Sequence, residues 1–299
     1  MVELPGYTNL EQIIFSNGFS VFRGLREADS LKVFLKVLDI GRVTIEISNQ
    51  FNNEFKRLSD FDFDGVLKPL SMDDIGEYKV MVFEDRGDAF LHEAVQQQDF
   101  EIEDALIIAN NLIVAIGELH SWQIVHGKIC ARDILLNPET KKISLFCAGI
   151  FDASQFWDKD KDWKKQFLYL SPEVKQLTNY RPDYRADYFS FGVILHELLV
   201  GYLPFYEDNY ESIVEQTILE GSVLSSNKRD SNINLPDVVA DIVRKLLSID
   251  PIDRYQSVWG INADLEQCVD QLRARGKVYH FPLARRDVSS KIAIPEKLY

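Results

Sequence analysis

Apolar and polar residues alternate through the first third of the chain in the way that is typical of β-strands. The apolar runs are separated by polar or glycine-containing turns and occur at residues 13–15, 20–23, 32–38, 66–67 and 78–84. These runs predict a five-stranded sheet. Residues 43–59 carry Phe51, Phe55 and Leu58 at helical spacing, which predicts one amphipathic helix between the third and fourth strands.

From Ile102 onward the apolar residues follow a helical period. They recur every three or four positions, at Ala105, Ile108, Ala109, Leu112, Ile113, Ile116 and Leu119, and predict a long helix with one buried face. A last helix is predicted over residues 257–273.

A short hairpin is predicted between these helices. Two apolar runs, Ile134 to Leu136 and Ile143 to Phe146, flank a polar turn at residues 137–140. The triplet His126-Gly127-Lys128 precedes the hairpin, and Leu145-Phe146-Cys147 ends it.

This layout resembles the catalytic and metal-binding loops of the protein kinase fold. That family has His-Arg-Asp before the hairpin, an Asn five residues after the Asp, and Asp-Phe-Gly at the end of the second strand. The resemblance puts Lys128 at the catalytic Asp, Asp133 at the Asn, and Leu145 at the metal-binding Asp. It therefore implies a protein kinase frame without its catalytic groups.

The nucleotide-binding motifs of the family are altered in the same way. Where a kinase has the second and third glycines of its Gly-rich loop, this chain has Ser16 and Phe19. By resemblance, Lys36 stands for the phosphate-pairing lysine, and Glu54 is its expected partner in a partly exposed ion pair. Phe34 replaces the small residue above the adenine.

Phe83 takes the gatekeeper position by the same resemblance, and residues 84–87 take that of the hinge. Phe34 and Phe83 are expected to narrow the nucleotide site, so Lys36 and Glu54 are interpreted as vestiges of it.

The motifs that hold the kinase fold together are retained. Ser171-Pro172-Glu173 resembles the family's Ala-Pro-Glu triplet, and residues 187–205 resemble its Asp-x-Trp-Ser-x-Gly helix. Residues 250–254 resemble the Asp-Pro-x-x-Arg motif that supplies Arg254 to Glu173. His126, Phe146 and Leu58 match the hydrophobic spine of the family. We assign structural roles to these positions: His126, Phe146, Leu58, Glu173, Asp187 and Arg254.

The resemblance implies an α+β, bilobal protein kinase fold. Its expected parts are a small lobe over residues 1–84, a large lobe over residues 85–276, and a tail or linker over residues 277–299. Residues 148–167 correspond to the activation loop. Gly127 replaces the arginine that pairs with a phosphate on that loop, so phosphorylation control of the usual kind is not expected.

Composition excludes some classes of partner and indicates the cellular compartment. The 299 residues carry a net charge of −14, which argues against binding to nucleic-acid phosphates or anionic lipid. No apolar run approaches a membrane span, and the first residues lack a signal-peptide pattern, so a cytoplasmic protein is expected. The three cysteines have neither disulfide nor zinc spacing.

The resulting hypothesis is a pseudokinase, a regulatory or interaction module that needs no cofactor. The chain resembles the N-terminal module of bacterial multi-sensor proteins, so the expected partners are downstream ATPase, GAF and histidine kinase domains of the same polypeptide. One alternative is a Ser/Thr kinase or other ATP-dependent transferase with a non-standard site. Another is an ATP sensor without turnover. Only under these alternatives do ATP and Mg²⁺ bind, with Asp133 as a metal ligand.

Overall fold

The computed structural model describes residues 3–16, 19–60, 62–97, 100–146, 163–204 and 235–288. Contacts divide the chain into a small unit, Met1–Asp88 with Leu145–Lys159, and a large unit, Ala89–Ser144 with Asp160–Tyr299. Helices account for 42% and strands for 21% of the described residues, which confirms the α+β class.

The small unit contains one antiparallel sheet in the order β1-β2-β3-β5-β4. Its strands are β1 Tyr7–Ser16, β2 Phe19–Arg26, β3 Leu31–Asp39, β4 Pro69–Ile75 and β5 Tyr78–Glu84. The predicted amphipathic helix is α1, Ile45–Ser59, and the hydroxyl of Thr44 caps it by accepting from the Ile47 N–H. Both the five-stranded sheet and this helix are therefore confirmed.

One predicted strand was misplaced. Residues 66–67 form no strand of the five-stranded sheet; Val66 makes an isolated parallel bridge to Leu145 instead. The fourth strand starts at Pro69 and includes two aspartates. Its sequence lacks the apolar alternation by which the other strands were predicted. Proline and aspartate are also rare inside strands, so the segment was not recognised as one.

The two faces of the small sheet have different neighbours. One face carries Val33, Leu35 and Val37, which belong to a cluster that also contains Leu4 and Phe22. The intervening residues of β3, Phe34 and Lys36, lie on the other face because side chains alternate along a strand. That second face carries the residues that the resemblance interprets as vestiges of a nucleotide site.

The large unit is mainly helical. It contains a short sheet in the order β6-β7-β8, with strands Ala89–Phe90, Ile134–Leu136 and Ile143–Leu145. Its helices are α2 Leu91–Gln97, α3 Ile102–Ser121, α4 Trp163–Tyr169, α5 Arg185–Val200, α6 Asp237–Leu246 and α7 Val258–Arg275. The predicted hairpin and the two predicted helices are confirmed as β7 with β8, α3 and α7.

Residues 277–288 run back along α7 in the opposite direction. The Tyr279 N–H donates to the Gln271 side chain, the Ala284 N–H donates to Asp264, and Asp287 accepts from Ser257. We call this segment the strap. The predicted tail or linker therefore begins with twelve residues that pack on the large unit, and residues 289–299 lie outside the described part.

In the described part of the chain, no helix is both long enough and apolar enough to span a membrane.

Candidate functional site

Lys36 and Glu54 form a buried ion pair in the small unit. The Lys36 Nζ donates to both carboxylate oxygens of Glu54, over 2.7 and 2.8 Å. The exposed fractions of the two side chains are 3% and 7%, so the expected partly exposed pair is in fact enclosed. The pair joins β3 to α1.

Aromatic rings occupy further space around the Lys36 ammonium group. The ring centroid of Phe19 lies 4.7 Å from Nζ, and that of Phe51 lies 5.6 Å away. Both distances are within the range of cation–π attraction. Phe19 stands where the resemblance puts a glycine of the phosphate-binding loop, and its ring covers the ammonium group that pairs with phosphates in kinases.

Three phenylalanines pack together beside this pair. The ring of Phe146 lies 5.4 Å from that of Phe34 and 5.1 Å from that of Phe83, and all three side chains are fully buried. Phe34 and Phe83 are direct partners on β3 and β5, and therefore share a face of the sheet. Phe146, assigned to the spine by resemblance, thus contacts the two residues expected to narrow the nucleotide site.

Arg23 is a member of this site that sequence reasoning missed. Its guanidinium carbon lies 5.0 Å from the Phe34 ring centroid, and its Nε lies 2.8 Å from a carboxylate oxygen of Asp85. Asp85 belongs to the hinge by resemblance. Arg23 on β2 is the direct partner of Phe34 on β3, which puts it on the face of the sheet that carries Phe34 and Lys36. That position was the available signal.

Leu145, at the position of the metal-binding aspartate, is a fully buried apolar residue. Its N–H donates to the Gly65 carbonyl over 2.9 Å, and its carbonyl accepts from the Leu67 N–H over 2.8 Å. These bonds fix it in the small unit. Leu58, in the last turn of α1, is also buried.

Asp187 organises the catalytic-loop region of the large unit. Its carboxylate accepts the backbone N–H groups of His126, over 3.0 Å, and Gly127, over 2.6 Å, and lies 2.8 Å from the His120 Nε2. Gly127 has a φ of 75°, a conformation that residues with a side chain rarely adopt. Asp187 therefore fixes the backbone of His126 and Gly127, although Gly127 lacks the arginine side chain that kinases have at this position.

Lys128 and Asp133 are both partly exposed. One Asp133 oxygen accepts the Cys130 N–H over 3.0 Å and so closes a short turn before β7. Burial and the neighbouring Asp133 carboxylate raise the pKa of the Cys130 thiol, so this cysteine lacks the thiolate character of a nucleophile. No group of three or more potential metal-ligating side chains occurs among the described residues.

Glu173 and Arg254 meet in a second buried ion pair, with bonds of 2.7 and 2.8 Å. Arg254 also donates to the carbonyls of Ser248, Arg185 and Ile249. This bidentate geometry ties the segment after α4 to the loop between α6 and α7.

Lys175, two residues after Glu173, is buried between aromatic rings. Its Nζ lies 5.1 Å from the ring centroid of Phe167 and 5.8 Å from that of Phe189. Burial lowers its pKa to about 7, and the nearby Glu173 carboxylate opposes this decrease. No motif or period in the sequence singled out this lysine.

The chain belongs to the protein kinase domain family, whose sequence pattern matches residues 15–267. A probable serine/threonine-protein kinase of Clostridium perfringens is 25% identical over 74% of this chain and 32% of its own length. The serine/threonine-protein kinase PrkC of Bacillus subtilis is 25% identical over 78% of this chain and 35% of its own length. The chain thus spans about a third of the length of these relatives.

A solved structure, Rad53 1–466 in complex with AMP-PNP, is similar in fold. Its TM-score is 0.68 at 16% identity, over 86% of this chain and 64% of that chain. The histidine protein kinase 1 of Candida albicans is 33% identical over 57% of this chain and 7% of its own length.

Proposed function

We propose that this chain is a pseudokinase, a protein kinase domain that transfers no phosphate and serves as a regulatory or interaction module in bacterial signal transduction. The observation that carries the proposal is the packing of Phe146 against Phe34 and Phe83. In an active kinase this face of the small-lobe sheet lies against the nucleotide, and here aromatic side chains fill it.

The electrostatics of the small unit support the same conclusion. Lys36 donates to both oxygens of Glu54 and lies 4.7 Å from the Phe19 ring centroid, and Arg23 stacks on Phe34 while it pairs with Asp85. A phosphate group has to displace these contacts before it reaches the lysine. The residues present do not fit ATP, and we propose that none binds.

The positions for metal and base support a loss of catalysis even if a nucleotide enters. Kinases hold Mg²⁺ through the aspartate that Leu145 replaces, and orient the substrate hydroxyl through the aspartate that Lys128 replaces. Loss of a general base alone typically lowers a rate by ~10²–10⁴-fold. Loss of the principal metal ligand removes electrostatic stabilisation of the transferred phosphoryl group as well.

The proposed partners are ATPase, GAF and histidine kinase domains of the same polypeptide. This proposal rests on the resemblance to multi-sensor proteins, and the partial similarity to a much longer histidine protein kinase supports it. In such an arrangement the retained ion pairs, Lys36 with Glu54 and Glu173 with Arg254, keep the module folded without a ligand.

Thermal denaturation with ATP or ADP, each with and without Mg²⁺ or Mn²⁺, tests the proposal. A nucleotide at 100 times its Kd stabilises a protein by ~2.7 kcal/mol, which moves the Tm of a chain of this size by about 2–4 °C. We expect no shift in the wild type. A metal-dependent shift contradicts the empty site, and phosphoryl transfer that Lys36→Ala or Asp133→Ala abolishes establishes the kinase alternative.

Two variants identify the groups that exclude the nucleotide. Phe34→Ala removes a ring from the buried cluster, and Phe19→Ala removes the partly exposed ring above Lys36. Phe63→Ala, which removes another partly exposed ring of the small unit, is the matched control. A nucleotide-dependent shift gained by either of the first two, but not by the control, assigns the exclusion to that ring.

A further inference from the structure

The end of α7 and the strap together carry an unusual charge for this chain. Residues 273–287 contain five cations, Arg273, Arg275, Lys277, Arg285 and Arg286, and one acid, Asp287. The segment therefore carries +4, and the remainder of the chain carries −18 to give the total of −14. All five cationic side chains are exposed.

The backbone that carries these cations is held in place. Phe281 is buried, the Ala284 N–H donates to Asp264 over 2.8 Å, and Asp287 accepts from the Ser257 hydroxyl over 2.7 Å and from the Gln256 N–H over 2.8 Å. The strap is thus fixed at both ends of its contact with α7. A partner that binds the cations does not have to order this backbone, which lowers the entropic cost of association.

Most of the cations form no ion pair in the described part of the chain. Arg273 pairs with Glu103 over 2.8 Å, and Arg275 lies 5.6 Å from the ring centroid of Tyr279. Lys277, Arg285 and Arg286 make no ion pair with any described residue. Four positive charges, including that of Arg275, are therefore available to a partner. We call Arg275, Lys277, Arg285 and Arg286 the basic surface.

We propose that the basic surface binds an acidic protein segment. The inference deepens the proposed function and rests on it, because it names the partner chemistry of the interaction module. A protein segment is favoured over nucleic acid or an anionic membrane because the rest of the chain is strongly negative and repels extended arrays of phosphate. A short acidic segment meets only the local positive charge, since screening limits its interactions to about 8–10 Å.

The geometry gives the minimum length of the segment. The Ala284 N–H bonds to Asp264, and Arg275 lies eleven residues further along α7, which is about 16 Å at 1.5 Å per residue. An extended chain covers this distance with about five residues. The partner segment is therefore at least about five residues long, with acidic side chains near both of its ends.

Fluorescence anisotropy with a labelled decaglutamate peptide tests the proposal on the full chain. The test variant is Arg285→Glu/Arg286→Glu, and a second is Arg275→Glu/Lys277→Glu. The matched control is Lys56→Glu/Arg57→Glu, which reverses two consecutive exposed cations at the end of α1 and changes the net charge equally. Near-ultraviolet circular dichroism verifies that each variant is folded.

We expect the wild type to bind the peptide at about 50 mM salt and more weakly at about 200 mM, as for exposed charges. Each of the two basic-surface variants should weaken binding at least tenfold, and the control less than threefold. No binding, or equal loss in the control, overturns the proposal. Tighter binding to a DNA duplex or to phosphatidylserine vesicles than to the peptide overturns it in favour of those ligands.

The failure of this inference is distinguishable from failure of the proposed function. Phosphoryl transfer by the wild type refutes the proposal that the chain is a pseudokinase, but it does not change the result of the peptide-binding measurement. Absence of peptide binding refutes the basic surface but does not affect the nucleotide result.

Discussion

Lys36 directs its ammonium group at both oxygens of Glu54, and neither side chain is more than 7% exposed. Removal of one partner from such a pair leaves a buried charge and typically costs about 3–5 kcal/mol, whereas replacement of both by apolar residues is often neutral or stabilising. In this chain the pair is also separated from solvent by Phe19. The pair therefore joins α1 to β3 through a buried contact.

The first prediction concerns this pair. Lys36→Met and Glu54→Leu should each lower the free energy of unfolding by about 3 kcal/mol or more, because each leaves the other charge buried. The double variant should lie within about 1 kcal/mol of the wild type. Urea denaturation of the four proteins measures the cycle, and losses that simply add in the double variant contradict the buried-pair explanation.

The second prediction concerns Arg254. Arg254→Lys should destabilise the chain by about 2 kcal/mol or more, because an ammonium group cannot reproduce the bidentate bonds to Glu173 together with three carbonyl contacts. Arg273→Lys, at an exposed pair on α7, is the matched control and should change stability by less than about 0.5 kcal/mol. Equal effects in the two variants contradict the prediction.

The third prediction concerns the pH dependence that Lys175 imposes. Burial lowers its pKa to about 7, whereas an unfolded lysine titrates near 10.4. Between these values the unfolded chain holds a proton that the folded chain has released, so this lysine makes stability rise with pH. Its contribution changes by up to ~1.4 kcal/mol per pH unit.

Lys175→Met removes this contribution. The variant should exceed the wild type in stability near pH 7, and the difference should shrink as the pH rises to 9. Urea denaturation of both proteins at pH 7, 8 and 9 measures the difference, in which other titrating groups cancel. A difference that does not change with pH shows that Lys175 is not the titrating group.

The fourth prediction concerns the strap. Asp287→Ala removes the bonds to Ser257 and Gln256 at the start of α7 and should lower stability by about 1–3 kcal/mol. Asp270→Ala, at an exposed position of the same helix, should have an effect within about 0.5 kcal/mol. Trypsin should cleave after Arg285 and Arg286 faster in Asp287→Ala, and unchanged cleavage contradicts the attachment.

Much of the fold was predictable because its signals are local. The apolar period of α3, the turn residues of the hairpin and the motif around Asp187 each lie within a short stretch of sequence. The partners of Glu54 and Glu173 followed from resemblance, since Lys36 and Arg254 stand at motif positions. The structure brings both pairs together.

The side chains that occupy the candidate site were only partly predictable. Phe34 and Phe83 were expected to narrow it, but the contact of Phe146 with both depends on the path of the chain after β8. The stacking of Arg23 on Phe34 was missed because a single arginine at the end of the predicted strand, residues 20–23, resembles a solvent-exposed residue.

The strap was not predictable from periodicity. Its attachment uses backbone N–H groups and single carboxylates, Asp264 and Asp287, which leave no repeating pattern of apolar residues.

Gly260 shows that the strap can be detached by a change outside the strap itself. A Cβ atom on this residue, in the first turn of α7, would lie 2.6 Å from both the Cβ and an oxygen of Asp287. Gly260→Ala therefore forces Asp287 away while it leaves every charge of the basic surface in the chain. The Gly260→Ala variant thus keeps the positive charges but changes their positions. A partner that requires an ordered basic surface should bind this variant more weakly than the wild type, whereas a partner that requires only positive charge should bind both equally.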